Sequence, residues 1–112
     1  MNCLYEILVP TQTNTGKPIR TRQHKEWDSR VRRIAGGLTV FPPAKGQWVS
    51  PDLELFKERM IPVRIMCSAE QIEDIAFITA IFYEQQAVMF YKVSDEVRIN
   101  HYDQTTKQRI AG

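Results

Sequence analysis

The fold is decided by residues 60–83, MIPVRIMCSAEQIEDIAFITAIFY, which join an alternating segment to a helical one. Side chains alternate between two faces along a strand, so every second residue shares a face. One face of the first segment is apolar: Ile61, Val63, Ile65 and Cys67. Ser68 and Gln71 then have the spacing of a capping box, which starts a helix. The segment predicts a strand over residues 60–67 followed directly by a helix.

This second helix is apolar on nearly all sides. One face carries Ile72, Ile75, Ala76, Thr79, Phe82 and Tyr83. Phe77 and Ile81 lie roughly opposite that face at about 100° per residue. A helix of so small a domain cannot be buried on every side without a partner. We therefore expect Phe77 and Ile81 in a homodimer interface or a protein-binding patch, the alternative being an extra phenylalanine packed under a loop.

Upstream, the sequence predicts a strand, a loop and a basic helix. Residues 3–10 are rich in strand formers, and residues 11–18 are rich in turn formers. Thr21 is a candidate N-cap for a helix from about residue 22 to residue 35, which Gly36 ends. The apolar stripe of this helix is Trp27, Val31 and Ile34.

The other strands are predicted from short extended runs at residues 38–41, 47–49, 87–93 and 96–102. Lys45-Gly46 and Ser94-Asp95 are expected to be turns between them. Pro62 cannot donate a hydrogen bond to a sheet. The strand over residues 60–67 must therefore begin at Pro62, lie at an edge, or carry a bulge there.

The element order predicts an α+β domain with a ferredoxin-like βαββαβ antiparallel sheet. Its two helices would cover one face of the sheet, and one appended C-terminal strand would follow. A chain of 112 residues is long enough for one hydrophobic core and too short for two. We expect a single domain over residues 1–102 and a polar, frayed tail over residues 103–112.

Composition indicates an ordinary globular protein, with 43% apolar and 25% charged residues. Its apolar runs are too short to span a bilayer, and the N-terminus lacks the basic region of a secretory signal. A cytoplasmic location and no contact with membranes are the resulting expectations. Cys3 and Cys67 stand alone in apolar runs, so both are expected to be reduced structural thiols.

Few residues are candidates for chemistry. His24, Arg30 and Trp48 are the candidate ligand pocket, because a tryptophan on a connection can line a pocket and a histidine titrates near neutral pH. His24 or His101 would be the acid/base of an enzyme, but no nucleophile is spaced to serve either one. We therefore expect no catalytic residue and no cofactor. Thr15-Gly16-Lys17 lacks the remainder of a phosphate-binding loop, and no ligand spacing for a metal is present.

Positive charge is concentrated in residues 17–33, which carry a net charge of +5, whereas the rest of the chain carries −3. A basic helix of this kind can bind polyanions, including nucleic acid, by releasing counterions. The residues concerned are Arg20, Arg22, Arg30 and Arg33. A solvated helix face is favoured instead, because Glu26 and Asp28 lie among the arginines.

The chain resembles a small bacterial family that is known only as a domain of unknown function. The resemblance rests on Gly37-Leu38-Thr39-Val40, on Gly46-Gln47-Trp48 and on Gln86-Ala87-Val88-Met89, and it spans roughly residues 24–100. It implies an α+β fold and assigns no catalytic residues. Members are often exported with a leader, which this sequence lacks.

The leading hypothesis is a non-catalytic binding domain that self-associates, as a homodimer, and binds a small ligand or a protein. A small dimeric enzyme that uses a histidine in the cleft between sheet and helices is the first alternative. A polyanion-binding domain that uses its first helix is the second.

Overall fold

The computed structural model describes residues 1–110. These residues form two helices and seven strands. In chain order the elements are β1 (Cys3–Pro10), α1 (Thr21–Ala35), β2 (Thr39–Val40), β3 (Ala44–Val49), β4 (Leu55–Cys67), α2 (Ala69–Phe82), β5 (Phe90–Ser94), β6 (His101–Asp103) and β7 (Gln108–Ile110).

β1 and β4 form the centre of the main sheet. They pair antiparallel from Cys3 opposite Cys67 to Pro10 opposite Met60. β2 and β3 both pair with the far side of β4, and β5 pairs with the other side of β1, which gives the order β2-β4-β1-β5. The two helices contact each other and pack on the two central strands. This is the ferredoxin-like arrangement, so the predicted fold class is confirmed.

The core lies between the helices and one face of the sheet. On β1 and β4 the buried apolar side chains, apart from Pro10 at the end of β1, occupy alternate, odd-numbered positions, as the strand period requires. These strand residues are Cys3, Tyr5, Ile7, Val9, Val63, Ile65 and Cys67. The helices add Trp27, Val31, Ile72, Ile75 and Ala76 to the same cluster.

Trp27 joins the two helices through a buried hydrogen bond. Its indole Nε1–H donates to Thr79 Oγ1 at 3.0 Å, and the Thr79 hydroxyl donates to the carbonyl of Ile75 at 2.6 Å. Trp27 is 1% exposed and Thr79 is 0% exposed. The threonine therefore satisfies the one polar atom of a tryptophan that water cannot reach.

We expect Thr79→Val to lower the free energy of unfolding by about 1–3 kcal/mol, because it leaves the indole N–H buried without an acceptor. Thr79→Ser keeps the hydroxyl and should cost about 1 kcal/mol for the lost methyl group. Urea unfolding of the two variants measures the difference. A valine variant as stable as the serine variant would contradict the role of this hydrogen bond.

β4 is longer than predicted and passes through Pro62 without ending. Phe41 N–H donates to Pro62 C=O on the β2 side, so the backbone of Pro62 faces that side. There the partner strand is interrupted between β2 and β3, at residues 41–43. On the other side, Leu8 lies opposite Pro62, but its N–H donates to Met89 C=O. The sheet therefore needs no N–H from Pro62, and the strand neither begins nor bulges there. Because β4 lies between β2 and β1, the edge alternative is also wrong.

The predicted turn at Lys45-Gly46 is wrong, because both residues lie within β3. β3 pairs with the first half of β4, from Ala44 opposite Met60 to Val49 opposite Leu55. The turn lies at residues 50–54 instead, where Ser50 N–H donates to the Glu54 carbonyl and Leu53 N–H donates to the Ser50 carbonyl. We call this hairpin, residues 44–60, the arm. It makes the molecule elongated, with extents of 60 × 30 × 24 Å.

The C-terminal region also differs from the prediction. β5 begins at Phe90 and includes Ser94, and no strand forms over residues 96–100. The predicted return strand is therefore wrong except at its end, where β6 begins. Residues 103–110 are not a frayed tail, because Asp103 Oδ1 accepts hydrogen bonds from two backbone N–H groups of the turn between β6 and β7. Residues 111–112 of the predicted tail lie outside the described residues.

The helix ends are held by polar contacts that differ partly from the predicted ones. The capping box of α2 is confirmed, since Ser68 and Gln71 each accept a backbone N–H of the other. Gln71 also donates to the carbonyl of Ile34 at the end of α1, at 3.0 Å. The N-cap of α1 is Arg20, and the predicted Thr21 is the first helical residue, because Gln23 supplies the side-chain acceptor to Arg20 N–H.

We expect Gly36→Ala to lower the free energy of unfolding by about 1 kcal/mol, because Gly36 ends α1 in the left-handed region at φ 88°. The matched control is Gly37→Ala, because Gly37 does not have a left-handed backbone conformation. A Cβ at Gly37 would meet no atom within 4 Å. The control should be neutral or slightly stabilising. Thermal unfolding measures the stability of both variants. An equal loss of stability in the two would contradict this account.

Candidate functional site

The face of the sheet opposite the helices is the first candidate. We call it the outer face. Even-numbered side chains of β1 and β4 point to it, because odd-numbered ones fill the core. These residues are Leu4, Glu6, Leu8, Met60, Pro62, Arg64 and Met66.

The outer face is largely apolar. All of its residues named above except Glu6 and Arg64 are apolar and half-buried. An antiparallel sheet that turns one face to water normally carries polar side chains there. The outer face instead has the composition of a surface that another layer covers.

A polar cluster lies at the centre of the outer face. Glu6 lies on β1, the strand between β4 and β5, and its side chain is 11% exposed. Arg64 Nε donates to Glu6 Oε1 at 3.0 Å, and the Tyr91 hydroxyl donates to Glu6 Oε2. A buried carboxylate needs such partners, since an unpaired one costs several kcal/mol. We call Glu6, Arg64 and Tyr91 the outer-face triad.

The triad leaves part of Arg64 available for a ligand. Its side chain is 41% exposed, and the guanidinium carbon lies 5.1 Å from the ring centroid of Phe41. The ring and the Glu6 carboxylate together fix the plane of the guanidinium. Within residues 1–110, the two terminal nitrogens of Arg64 donate to no protein acceptor.

A cavity of about 440 Å³ lies beside Arg64. We call it the α1–sheet cavity, because the end of α1 and the following connection form one wall, and the outer face forms the other. Its lining is Leu4, Ala35, Gly36, Gly37, Leu38, Thr39, Arg64, Met66 and Ile99. Arg64 is the one charged residue in this lining, and most of the other side chains are apolar.

The arm extends the outer face beyond the body of the domain. Trp48 and Phe56 are opposite each other in the register and stack with ring centroids 4.5 Å apart. Their even-numbered positions place them on the side of β4 that carries Met60 and Arg64. The opposite side of the arm, which we call its basic side, carries exposed Lys45, Lys57 and Arg59, with the apolar pair Val49 and Leu55 next to the turn. The arm therefore has one aromatic side and one charged side.

The structure does not bring the predicted ligand residues together. His24 and Arg30 lie on α1, whereas Trp48 lies on β3, which pairs with β4 alone. Arg30 is paired with Glu26 at 3.4 Å and lies over the ring of Phe82. Trp48 is 48% exposed and contacts Phe56 instead. A pocket that combines these three residues is not formed within one chain.

His24 has a tyrosine as its partner. His24 Nδ1 lies 2.7 Å from the Tyr83 hydroxyl, which can donate to it. Burial lowers the pKa of His24, and the Asp28 carboxylate opposes this. Burial also raises the pKa of Tyr83, so the tyrosine stays protonated and the histidine neutral at neutral pH. A hydrogen-bonded carboxylate, which would favour an acid/base role, is not the partner.

We expect the free energy of unfolding to fall as the pH is lowered from about 7.5 to about 5.5. A histidine whose pKa is lower in the folded state stabilises the fold when neutral, and this stability is lost below the unfolded value of 6.5. Burial raises the pKa of Asp28, so its protonation acts in the opposite direction, at lower pH.

His24→Gln is the matched variant, because glutamine can accept from Tyr83 without titrating. Urea unfolding across this pH range should show a smaller decline for the variant than for the wild type. Equal declines would contradict the assignment to His24.

The arginines of the predicted polyanion site do not share one face. Arg22 and Arg33 lie on one side of α1 with Glu26 between them, whereas Arg20 is at the N-cap and points elsewhere at about 100° per residue. Arg30 is engaged by Glu26. The arrangement is that of a mixed, solvated helix face, which the sequence favoured.

Phe77 and Ile81 are exposed, as an interface role requires. Phe77 is 68% exposed and Ile81 is 65% exposed, one turn apart on α2. The alternative of a phenylalanine packed under a loop is therefore wrong for Phe77. The patch is flanked on the helix by Glu73 and Asp74, which are also exposed.

The two cysteines are free thiols that face each other across β1 and β4. Burial, with a smaller contribution from Cys3, raises the pKa of Cys67 to about 11. A thiol with that pKa is protonated at neutral pH and is a poor nucleophile. Among residues 1–110, no three His, Cys, Asp or Glu side chains are grouped closely enough to hold a metal ion. In the same residues, neither helix has the length and hydrophobicity to cross a bilayer.

Comparisons with known proteins find the fold and no family. No family model matches the chain, and no curated protein matches it. Three solved structures illustrate the similarity. The divalent cation tolerance protein CutA1 from Thermus thermophilus is 9% identical, with a TM-score of 0.65 and 88% of both chains covered.

A phage SAM lyase in complex with S-methyl-5′-thioadenosine is 12% identical, with a TM-score of 0.60 over 88% of this chain and 93% of the lyase. The GlnK–ATP complex from B. subtilis is 14% identical, with a TM-score of 0.53 over 96% of this chain and 91% of GlnK. At these identities the similarity concerns the fold alone.

The outer-face triad was not predicted from the sequence, although a signal for it was present. Glu6 lies between Leu4 and Leu8 on one strand face, and Arg64 lies between Pro62 and Met66 on another. An acidic and a basic residue, each inside an otherwise apolar strand face, indicate a buried ion pair. Their pairing depends on the register of β1 against β4, which places Glu6 opposite Arg64.

Proposed function

We propose that this chain is a non-catalytic binding domain that works as a self-assembled oligomer, with the outer face as its interface. The observation that supports this most strongly is the apolar outer face with the triad at its centre. The helices cover one apolar face of the sheet, and nothing in residues 1–110 forms a comparable layer on the other. A second copy of the chain supplies the missing layer.

The energetics favour such a layer. Burying a fully exposed leucine or methionine side chain contributes about 1.5–3 kcal/mol, so completing the burial of a half-buried one contributes about half as much. The outer face offers Leu8 and Met60 at the end nearest the arm, both half-buried in the single chain, whereas Leu4 and Met66 at the other end line the α1–sheet cavity. The ion pair of Glu6 with Arg64 is already formed within the chain, and only the two terminal nitrogens of Arg64 need an acceptor when the face is covered. It also sets the register of the interface, as buried polar groups do in some assemblies.

The arm supports the same proposal. A two-stranded ribbon is marginally stable on its own in water. The arm nevertheless extends from the body, with Trp48 48% exposed and Phe56 36% exposed on one side. Large exposed aromatic residues of this kind are typical anchors of an interface. We infer that the arm packs its Trp48–Phe56 side on a neighbouring copy, which leaves the basic side in water.

We expect sedimentation equilibrium to show an oligomer for the wild type and a folded monomer for Leu8→Glu. The variant places an unpaired charge inside the proposed interface, which should raise the dissociation constant about 100-fold or more. Lys57→Glu, on the basic side of the arm, is the control and should stay assembled. A monomeric wild type would contradict the proposal, and so would a folded, fully assembled Leu8→Glu.

Ile81→Glu tests the interface that the sequence predicted on α2. Phe77 and Ile81 form a small apolar patch between acidic residues, whereas the outer face is larger and continuous with the arm. If Ile81→Glu also dissociates the oligomer, α2 belongs to the interface, and the homodimer prediction for this helix gains support. If it stays assembled, the patch serves another partner or none.

The solved neighbours are compatible with a binding role. They are a divalent cation tolerance protein, a SAM lyase in complex with S-methyl-5′-thioadenosine, and GlnK in complex with ATP. A fold that hosts such different roles assigns none of them to this chain. The absence of a metal, the cytoplasmic location and the similarity to the family of unknown function stay predictions.

An enzyme is the second candidate, and the contact of His24 with Tyr83 is the observation in its favour. The phage lyase shows that a chain of this fold can be an enzyme. A cavity of about 170 Å³ lies next to Tyr83, between the loop after β1 and the end of α2. His24 itself is absent from its lining, and its partner is a protonated tyrosine, so the geometry supports binding better than catalysis.

A further inference from the structure

We propose that the α1–sheet cavity binds a small monocarboxylate with an apolar body, and that Arg64 receives the carboxylate. This inference names the ligand class of the proposed binding domain and rests on it. It is carried by the position of one oriented guanidinium in a cavity that is otherwise mostly apolar.

The orientation of Arg64 suits a carboxylate. Glu6 holds Nε, and the Phe41 ring packs against the plane of the guanidinium. The two terminal nitrogens form the fork that matches two carboxylate oxygens. Because Glu6 and Phe41 already fix the side chain, a ligand need not order it on binding.

The charge balance also favours a single negative charge. Glu6 offsets the charge of Arg64, so the pair alone would attract a carboxylate only weakly. Arg32 and Arg33 lie in the last turn of α1, directly before the cavity wall, and offset the negative end of the helix dipole there, so that it does not repel a carboxylate. A dianion such as a phosphate monoester would find a single cationic side chain in the lining, which is too few for its charge.

The rest of the cavity specifies the body of the ligand. Leu4, Leu38, Met66 and Ile99 offer apolar surface, and Thr39 adds one hydroxyl. Gly36 and Gly37 have no Cβ, and a Cβ at either would meet no atom within 4 Å, so this wall is open. An aromatic or branched aliphatic group fits such a lining.

The experiment titrates the full-length, isotope-labelled chain with 3-phenylpropionate and with its neutral analogue 3-phenylpropionamide. Amide NMR shifts of Gly36, Gly37 and Leu38 report the cavity. We expect these shifts with the acid and about tenfold weaker binding of the amide, because a hydrogen bond to a charged group is lost. Equal affinities would overturn the carboxylate assignment, and shifts confined to other residues would overturn the site.

Ile99 offers a matched pair of variants, because it lines the cavity and is 61% exposed. Both variants lose the same apolar contact and should weaken binding of the amide similarly, so the charge effect is measured as the ratio of acid to amide affinity. Ile99→Lys should raise this ratio, and Ile99→Glu should lower it. Both variants should fold, since the side chain is largely in water. Arg64→Gln should abolish the preference for the acid, but it also leaves Glu6 without its partner and could unfold the domain. If Arg64→Gln is unfolded, the two Ile99 variants provide the test. Changes of the same sign in both Ile99 variants would overturn the inference.

Sedimentation equilibrium on the same samples separates the two proposals. An assembled protein that does not discriminate acid from amide would overturn the ligand inference and leave the proposed oligomer standing. A monomeric protein that binds the acid at Gly36–Leu38 would overturn the oligomer and support the cavity as a site of the single chain.

Discussion

The pairing of β1 with β4 is the constraint on which the rest of the structure depends. Every other strand of the main sheet pairs with one of these two, and both helices pack on them. The register from Cys3–Cys67 to Pro10–Met60 aligns the odd-numbered side chains into one core face. A shift by one residue would exchange the two faces of a strand, so this register and the helix packing require each other.

The same register creates the candidate site. Glu6 meets Arg64 because they are opposite in the ladder, and Tyr91 follows because β5 pairs with the other side of β1. The carboxylate is buried on a face that no helix covers, and the surrounding apolar residues of the two central strands keep water from it. Such a face is costly for a single chain, and this cost is the physical reason for expecting a second layer.

The sequence was informative where a local pattern had a single solution. The Ser68/Gln71 capping box and the Trp27/Val31 stripe predicted both helices within about one residue. It failed where several extended conformations satisfied the same pattern. Lys45 and Gly46 are compatible with a turn or with an exposed strand, and only pairing with β4 selects the strand. Residues 96–100 alternate like a strand, yet no strand within residues 1–110 pairs with them.

By itself, the sequence determined the helices, the two central strands and their order, because hydrophobic periodicity and capping act between residues close in the chain. It also placed Phe77 and Ile81 on an unpartnered helix face. Only the tertiary structure decided the outer-face triad, the α1–sheet cavity and the separation of Trp48 from His24. These features join residues that are distant along the chain, and such contacts depend on strand register and on the path of the arm, which no local pattern encodes.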